Sequence, residues 1–245
     1  MQSSNMARVR HLAGIFLTAF ATGAFAQADV VVTRTYSNPG QGVGVEYRKD
    51  VALANKAMAD DHDLERAAAL LAPVMRYCDQ QQRPGRVGIS VANAVEYERY
   101  MADHDGGVPV EWIDMACPDS YKTAAFLHVE KKEYDAALPL LEKAIAMAPY
   151  WPNGLAELGF VLNQQHKPQE ALASYRKSLS LAETFESGKQ MKAVALRGIG
   201  YSLIELGDLA GARKIYEQSL EVDPGNKTAL NELDYIRQRQ AKAQP

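Results

Sequence analysis

The chain is short of the residues that most chemistry uses. It holds two cysteines and five histidines in 245 residues. Cys78 and Cys117 lack CxxC spacing, and no nearby histidine completes a ligand set, so a zinc site is not expected. There is no Gly-rich phosphate loop, no GxSxG elbow and no HExxH pair. Positive charge is not in excess: 27 Lys+Arg face 30 Asp+Glu, a net charge of −3. A mildly acidic chain exerts no long-range pull on nucleic acid or anionic lipid, and neither is an expected partner. Beyond Ala26 no apolar run is long enough to cross a bilayer, so membrane insertion is not expected either. These absences predict a protein with no cofactor, no metal and no catalytic residue.

The two histidines in acidic company are His62, within Asp60-Asp61-His62-Asp63, and His104, between Asp103 and Asp105. Both read as hydrated turns and helix caps rather than as halves of a metal site. His128 reads as packed against a partner helix, and His166 as a turn residue. Carboxylate pairs such as Glu130 and Glu133 sit at a helix end, with no apolar pocket to raise their pKa for acid–base work.

What is present is an ordinary globular mixture, 47% hydrophobic and 23% charged. The first residues read as an export signal. Arg8, Arg10 and His11 precede Leu12–Phe25, a mostly apolar stretch that closes in Ala24-Phe25-Ala26. That run is too short for a hydrocarbon core of ~30 Å. The small-x-small end suits signal peptidase, whose pocket admits only small side chains. The expectation is a signal peptide over 1–26, cleaved after Ala26, and an exported bacterial protein that is periplasmic or secreted. No cysteine follows the cleavage site, which argues against a lipid anchor. An oxidising compartment permits a disulfide between Cys78 and Cys117, each at the end of an expected element; two buried thiols are the alternative.

Residues 27–46, with Ser37-Asn38-Pro39-Gly40, read as a loosely ordered arm in which Val30–Val32 could form an edge strand. The region 47–117 is α or α/β. Asp50 is expected to cap a helix running through Met58, and Asp63 to cap a second carrying Leu64, Ala67, Ala68, Leu71 and Val74 on one face. Pro73 should kink or break that second helix. Over 86–115, Val87, Ile89 and Val91 alternate with small residues, and Val108, Val110 and Trp112 alternate with Pro109 and Glu111. Period two marks strands. Between them Asn93 and Glu96 have capping-box spacing ahead of Tyr97, Tyr100 and Met101. The reading is strand–helix–strand, with irregular helix as the alternative.

From Pro118 onward the chain repeats. Units begin at Pro118, Pro152 and Ala193. Position 20, where the two helices of a hairpin touch, is Ala137, Ala171 and Ala212. Position 8, at the same crossing, is Ala125, Gly159 and Gly200. Position 24 is Leu141, Tyr175 and Tyr216; position 28 is Ile145, Leu179 and Leu220. Pro149 and Pro224 close the first and third units. The second has Glu183 at that place, followed by extra residues, Glu186 to Lys192.

On these residues, and on Leu158-Gly159-Phe160, Glu170-Ala171-Leu172, Gly200-Tyr201 and Leu206-Gly207-Asp208, the stretch from Pro118 to Asn226 resembles the tetratricopeptide-repeat family. The step from Pro118 to Pro152 is that family's period. The stretch departs from the family pattern at position 4 (Tyr121, Leu155, Leu196) and at position 15, where glycine is kept only at Gly207 and is Lys132 and His166 earlier. The resemblance implies a mostly α chain: an α-α superhelix of hairpins at 118–151, 152–185 and 193–226. A capping helix and tail follow at 227–245, with Asn226 as its N-cap and Ala229, Leu230, Leu233 and Ile236 as its apolar stripe. The pair at 48–81 fits the same frame with Ala67 at position 20, as a degenerate repeat. Such a superhelix binds ligands on its concave face, lined by the first helix of each hairpin. Carried over by position, the groove residues are Lys122, Phe126, Phe160, Asn163, Arg197 and Tyr201. The family's carboxylate clamp uses asparagine at position 9; Phe126 and Phe160 stand there instead, so that mode does not carry over. The expected ligand is a protein or peptide with an apolar side chain and an acidic group, the latter drawn by Lys122 and Arg197. Two other readings stay open: a structural or self-associating component whose groove is filled by its own N-terminal half, and an enzyme with an unrecognised site in the N-terminal α/β region.

Overall fold

The computed structural model describes residues 42–104 and 107–242. The expected leader at 1–26, the Val30–Val32 strand and most of the 27–46 arm lie outside the described residues. The described chain runs through α1 (Arg48–Ala59), α2 (Leu64–Gln81), β1 (Val87–Ile89), α3 (Ala94–Asp103), β2 (Val110–Trp112), α4 (Ala116–Glu130) and α5 (Tyr134–Met147). It continues through α6 (Pro152–Gln164), α7 (Pro168–Thr184), a 3-10 helix (Glu186–Met191), α8 (Lys192–Glu205), α9 (Leu209–Val222) and α10 (Lys227–Lys242).

Pairs α1–α2, α4–α5, α6–α7 and α8–α9 are antiparallel hairpins stacked in chain order, and α10 closes the stack against α9. The small residue of each crossing explains the close approach. Ala67, Ala137, Ala171 and Ala212 are each 0% exposed. The turn of each hairpin uses one left-handed residue: His62 (φ 52°), Lys132 (φ 59°), His166 (φ 58°) and Gly207 (φ 83°). Counting from Arg48, His62 and Ala67 fall at positions 15 and 20, so the first hairpin is built on the same plan. A Cβ in this conformation costs roughly 1 kcal/mol. Lys132→Gly and His166→Gly are therefore expected to raise stability by up to about 1 kcal/mol each. Gly207→Ala is expected to lower it by a similar amount, since a Cβ there meets nothing within 4 Å and the cost is backbone alone. Urea midpoints of the three variants check this; a glycine variant less stable than its parent contradicts it.

One expectation in the first hairpin needs correction. Helix α1 starts at Arg48, with Tyr47 as N-cap, so Asp50 lies inside the first turn, where its charge faces the helix N-terminus rather than capping it. Pro73 lies inside α2 without ending it. Asp63 does cap α2, accepting from Arg66 N at 2.9 Å. Cys78 of this hairpin is bonded to Cys117 of α4.

Strands β1 and β2 pair in parallel, with Val87 opposite Val110 and Ile89 opposite Trp112, joined through α3. Val43 adds a parallel bridge to Ile113. Two strands do not hold alone. The unit rests on its own helix, where Tyr97 stacks on Trp112 at 5.4 Å. It also rests on the loops that join successive hairpins: Ser90 N donates to Met147 O at 2.6 Å, and Tyr150 packs between Tyr100 and Phe185. The extra residues after the second unit have a structural use here. They form the 3-10 helix Glu186–Met191, whose Ser187 hydroxyl donates to Glu96 of α3.

Candidate binding groove

The first helices of the hairpins lie side by side, α1 on α4, α4 on α6 and α6 on α8. Position 9 of each points the same way. Phe126 is half-buried, while Phe160 and Tyr201 are each 38% exposed. Tyr235 of α10, 41% exposed, extends the row one unit further. It follows Tyr201 by the same step that separates Phe160 from Phe126, a spacing visible in the sequence.

The charged groups are arranged differently from expectation. Lys122 Nζ lies 2.7 Å from Asp119 and 5.5 Å from the Trp151 ring centroid. Arg197 donates to Asp223 Oδ2 at 3.0 Å. Both cations thus already have an acidic partner within the protein. Asn163 leaves the expected set. It is 8% exposed and exchanges hydrogen bonds with Ser202 across α6 and α8 (Nδ2 to Oγ 3.1 Å), so it ties two repeats together instead of facing a ligand.

Three carboxylates are the counterpart. Glu157, Glu205 and Glu232 take part in none of the ion pairs or hydrogen bonds found among the described residues. Burial raises Glu157 to about 7, with Lys122 pulling partly the other way. Burial first, and Glu205 second, raise Glu232. The Tyr175 hydroxyl faces Glu157 and Tyr201, and Tyr201 in turn feels Glu205 and Glu232, so the acids and rings form one continuous strip from α6 to α10.

Two concavities border the groove. One, about 320 Å³, is lined by Arg48, Asp119, Lys122, Trp151 and Asn153 among others, and the buried Oδ1 of Asn153 has no hydrogen-bond partner. The other, about 230 Å³, lies by the βαβ unit, with Ser90, Glu96, Tyr150 and Ser187 in its wall. There Glu96 is fully engaged: it accepts from Ala92 N (2.8 Å), Asn93 Nδ2 (3.1 Å) and Ser187. Of the capping box expected at Asn93 and Glu96 the N-cap half is present, Glu96 N donating to Asn93 Oδ1 at 3.0 Å, while the Glu96 carboxylate takes Ala92 N and Asn93 Nδ2 rather than Asn93 N.

The histidines are scattered. His104 stacks on Tyr100, and His62 occupies the first hairpin turn. His128 is half-exposed and bonded at 2.7 Å to Glu133, the N-cap residue of α5. No group of three His, Cys, Asp or Glu fit to hold a metal occurs among the described residues. None of the described helices is long and apolar enough to cross a membrane.

Residues 152–224 match the tetratricopeptide repeat family. A protein from Saccharomyces cerevisiae, small glutamine-rich tetratricopeptide repeat-containing protein 2, is 34% identical over 103 residues, 42% of this chain and 25% of that protein. Cellulose synthase operon protein C of Pseudomonas fluorescens is 32% identical over 118 residues, 47% of this chain and 9% of that protein. The chain spans a quarter or less of the length of the curated relatives it matches. In fold it is similar to the TPR-like repeats of a putative kinesin light chain from Podosopora anserina. That structure has a TM-score of 0.56 at 15% identity and covers 81% of this chain and 88% of its own.

Proposed function

Because the C-terminal part of this chain is a tetratricopeptide-repeat array, we propose that the protein is a non-catalytic scaffold. It binds a protein or peptide through the inner face of the array, outside the cytoplasm. One observation carries the reading: Phe160 and Tyr201 stand on the inner helices and remain exposed. The described N-terminal elements pack elsewhere, α1–α2 at the end of the stack and the βαβ unit along the connecting loops. Exposed rings give large contact area at little entropic cost and are favoured binding anchors. The export signal read at 1–26 and the bonded cysteines support action in an oxidising compartment.

The test is Phe160→Ala against a partner found by crosslinking and mass spectrometry. The Kd for that partner is expected to rise about 30-fold or more, the hot-spot range. The melting temperature should move by only a few degrees, since the ring is not enclosed. A large fall in melting temperature would mean that the ring is core, and an unchanged Kd would mean that binding lies elsewhere.

A further inference from the structure

The unused polar groups of the inner face share one sign. The cations Lys122 and Arg197 are matched within the protein by Asp119 and Asp223. Glu205 and Glu232 form no ion pair among the described residues, Glu157 has Lys122 nearby but forms no hydrogen bond with it, and Asn153 Oδ1 is a buried acceptor without a donor. Asn153 and Glu157 are four residues apart on α6, so both lie on one face of that helix. A buried acceptor left unpaired is costly, and groups of this kind are satisfied by a partner that brings donors. The same strip carries Phe160, Tyr201 and Tyr235, whose ring faces attract a cation as well as apolar groups.

We infer that the ligand of this groove is basic: a peptide segment presenting a lysine or arginine beside apolar side chains, its cation set against Glu157 and its apolar groups laid on Phe160 and Tyr201. The inference rests on the peptide-binding reading above and adds the ligand's charge. A cation gains most where the facing carboxylate is poorly hydrated, and Glu157, whose nearby cation Lys122 is held by Asp119, is the most enclosed of the three acids. Glu205 and Glu232 continue the negative strip toward α10 and orient the rest of the chain.

The groups facing Glu157 are Lys122 from α4 and Tyr175 from α7, with Tyr201 of α8 beyond Tyr175. In the free protein burial holds Glu157 near 7. Pairing with a ligand cation pulls it down, so binding releases a proton and tightens as pH rises from 6 to 8. A lysine or arginine stays charged throughout that range. The fold responds with the opposite sign. Stability linked to Glu157 is complete below its ordinary range and is lost as pH rises through about 7. Glu157→Gln is therefore expected to melt higher than the parent at pH 8 and close to it at pH 5, which makes it a well-folded test variant.

The experiment pans a random dodecapeptide display library on the full chain. It then measures the selected synthetic peptides against the parent, Glu157→Gln and Phe160→Ala. The expected result is enrichment of lysine or arginine next to large apolar residues. Affinity for those peptides should fall about tenfold in Glu157→Gln, weaken with added salt, and rise between pH 6 and 8 in the parent only. Selection of acidic or neutral peptides that still need Phe160 would overturn the charge assignment and leave the groove reading standing. Selected peptides indifferent to both substitutions, or no selection at all, would overturn both.

Discussion

Replacing Cys78 and Cys117 together by alanine is expected to lower the unfolding free energy by about 4 kcal/mol. The bond joins the last turns of α2 to the first turn of α4, closing a loop of sequence separation 39 that contains the whole βαβ unit. Releasing a loop of that length returns about that much entropy to the unfolded chain. Both cysteines are essentially inaccessible, so the native geometry is not held open by solvent around the sulfurs. The effect should be local. Beside the apolar core it shares with α4 and α5, the first hairpin meets the array through the disulfide, the Tyr121 hydroxyl on Asp79 (2.6 Å), Lys143 on the same carboxylate (2.8 Å) and the Thr123 hydroxyl on Asn55 (2.8 Å). Without the covalent tie, amides of α1 and α2 should exchange faster than those of α6–α9. Urea unfolding with hydrogen exchange measures both. A double variant with the parent's midpoint would show that the link adds nothing. The mass of protein recovered from its native host tests the compartment at the same time. One disulfide and a Gln27 start are expected; reduced thiols on a Met1 start would end the proposal of action outside the cytoplasm.

The parts of this structure that were legible in the sequence are those set by local helix–helix contact. Position 20 must be alanine-sized wherever two helices of one hairpin cross, so Ala137, Ala171 and Ala212 repeat visibly, and Ala67 with them. The period-two alternation at Val87–Val91 and Val108–Trp112 marked strands, and these are shorter in the structure, Val87–Ile89 and Val110–Trp112. The pairing of the charges was less legible, because each was read singly. Lys122 has Asp119 three residues before it on the same helix, a pairing open to inspection. Arg197 finds Asp223 across 26 residues, and no local pattern announces that. Asn163 sits at a ligand-facing position, but the approach of α8 turns it onto Ser202. Glu157 carries no sequence signal, since its enclosure depends on Tyr175 and Lys122 from two other helices. The use of the insertion Glu186–Lys192 has no local signal, because its contact, Glu96, is 91 residues away from Ser187.

Tyr175→Ala is expected to cost about 3–5 kcal/mol, the range for removing an enclosed aromatic ring. A Cβ on Gly159 would lie 2.7 Å from the Tyr175 ring, and one on Gly198 would lie 2.2 Å from it. The ring is thus pressed against α6 of its own hairpin on one side and α8 of the next hairpin on the other. It sets the distance between two repeats, and Tyr216 repeats half of that arrangement against Gly200. The hydroxyl is not needed for this. It makes no hydrogen bond among the described residues, and burial, Glu157 and Tyr201 all disfavour its ionisation. Tyr175→Phe should therefore stay within about 1 kcal/mol of the parent, whereas Gly198→Val should lose about 1–3 kcal/mol by overpacking the same contact. Chemical denaturation of the three variants decides it. If Tyr175→Phe were as damaging as Tyr175→Ala, the hydroxyl rather than the ring would be the structural element. The groove shares the outcome. The ring lies near Glu157, so in Tyr175→Ala more water is expected to reach the carboxylate and its pKa to return toward the ordinary range. Binding of a basic peptide should then lose its rise between pH 6 and 8 before the protein unfolds.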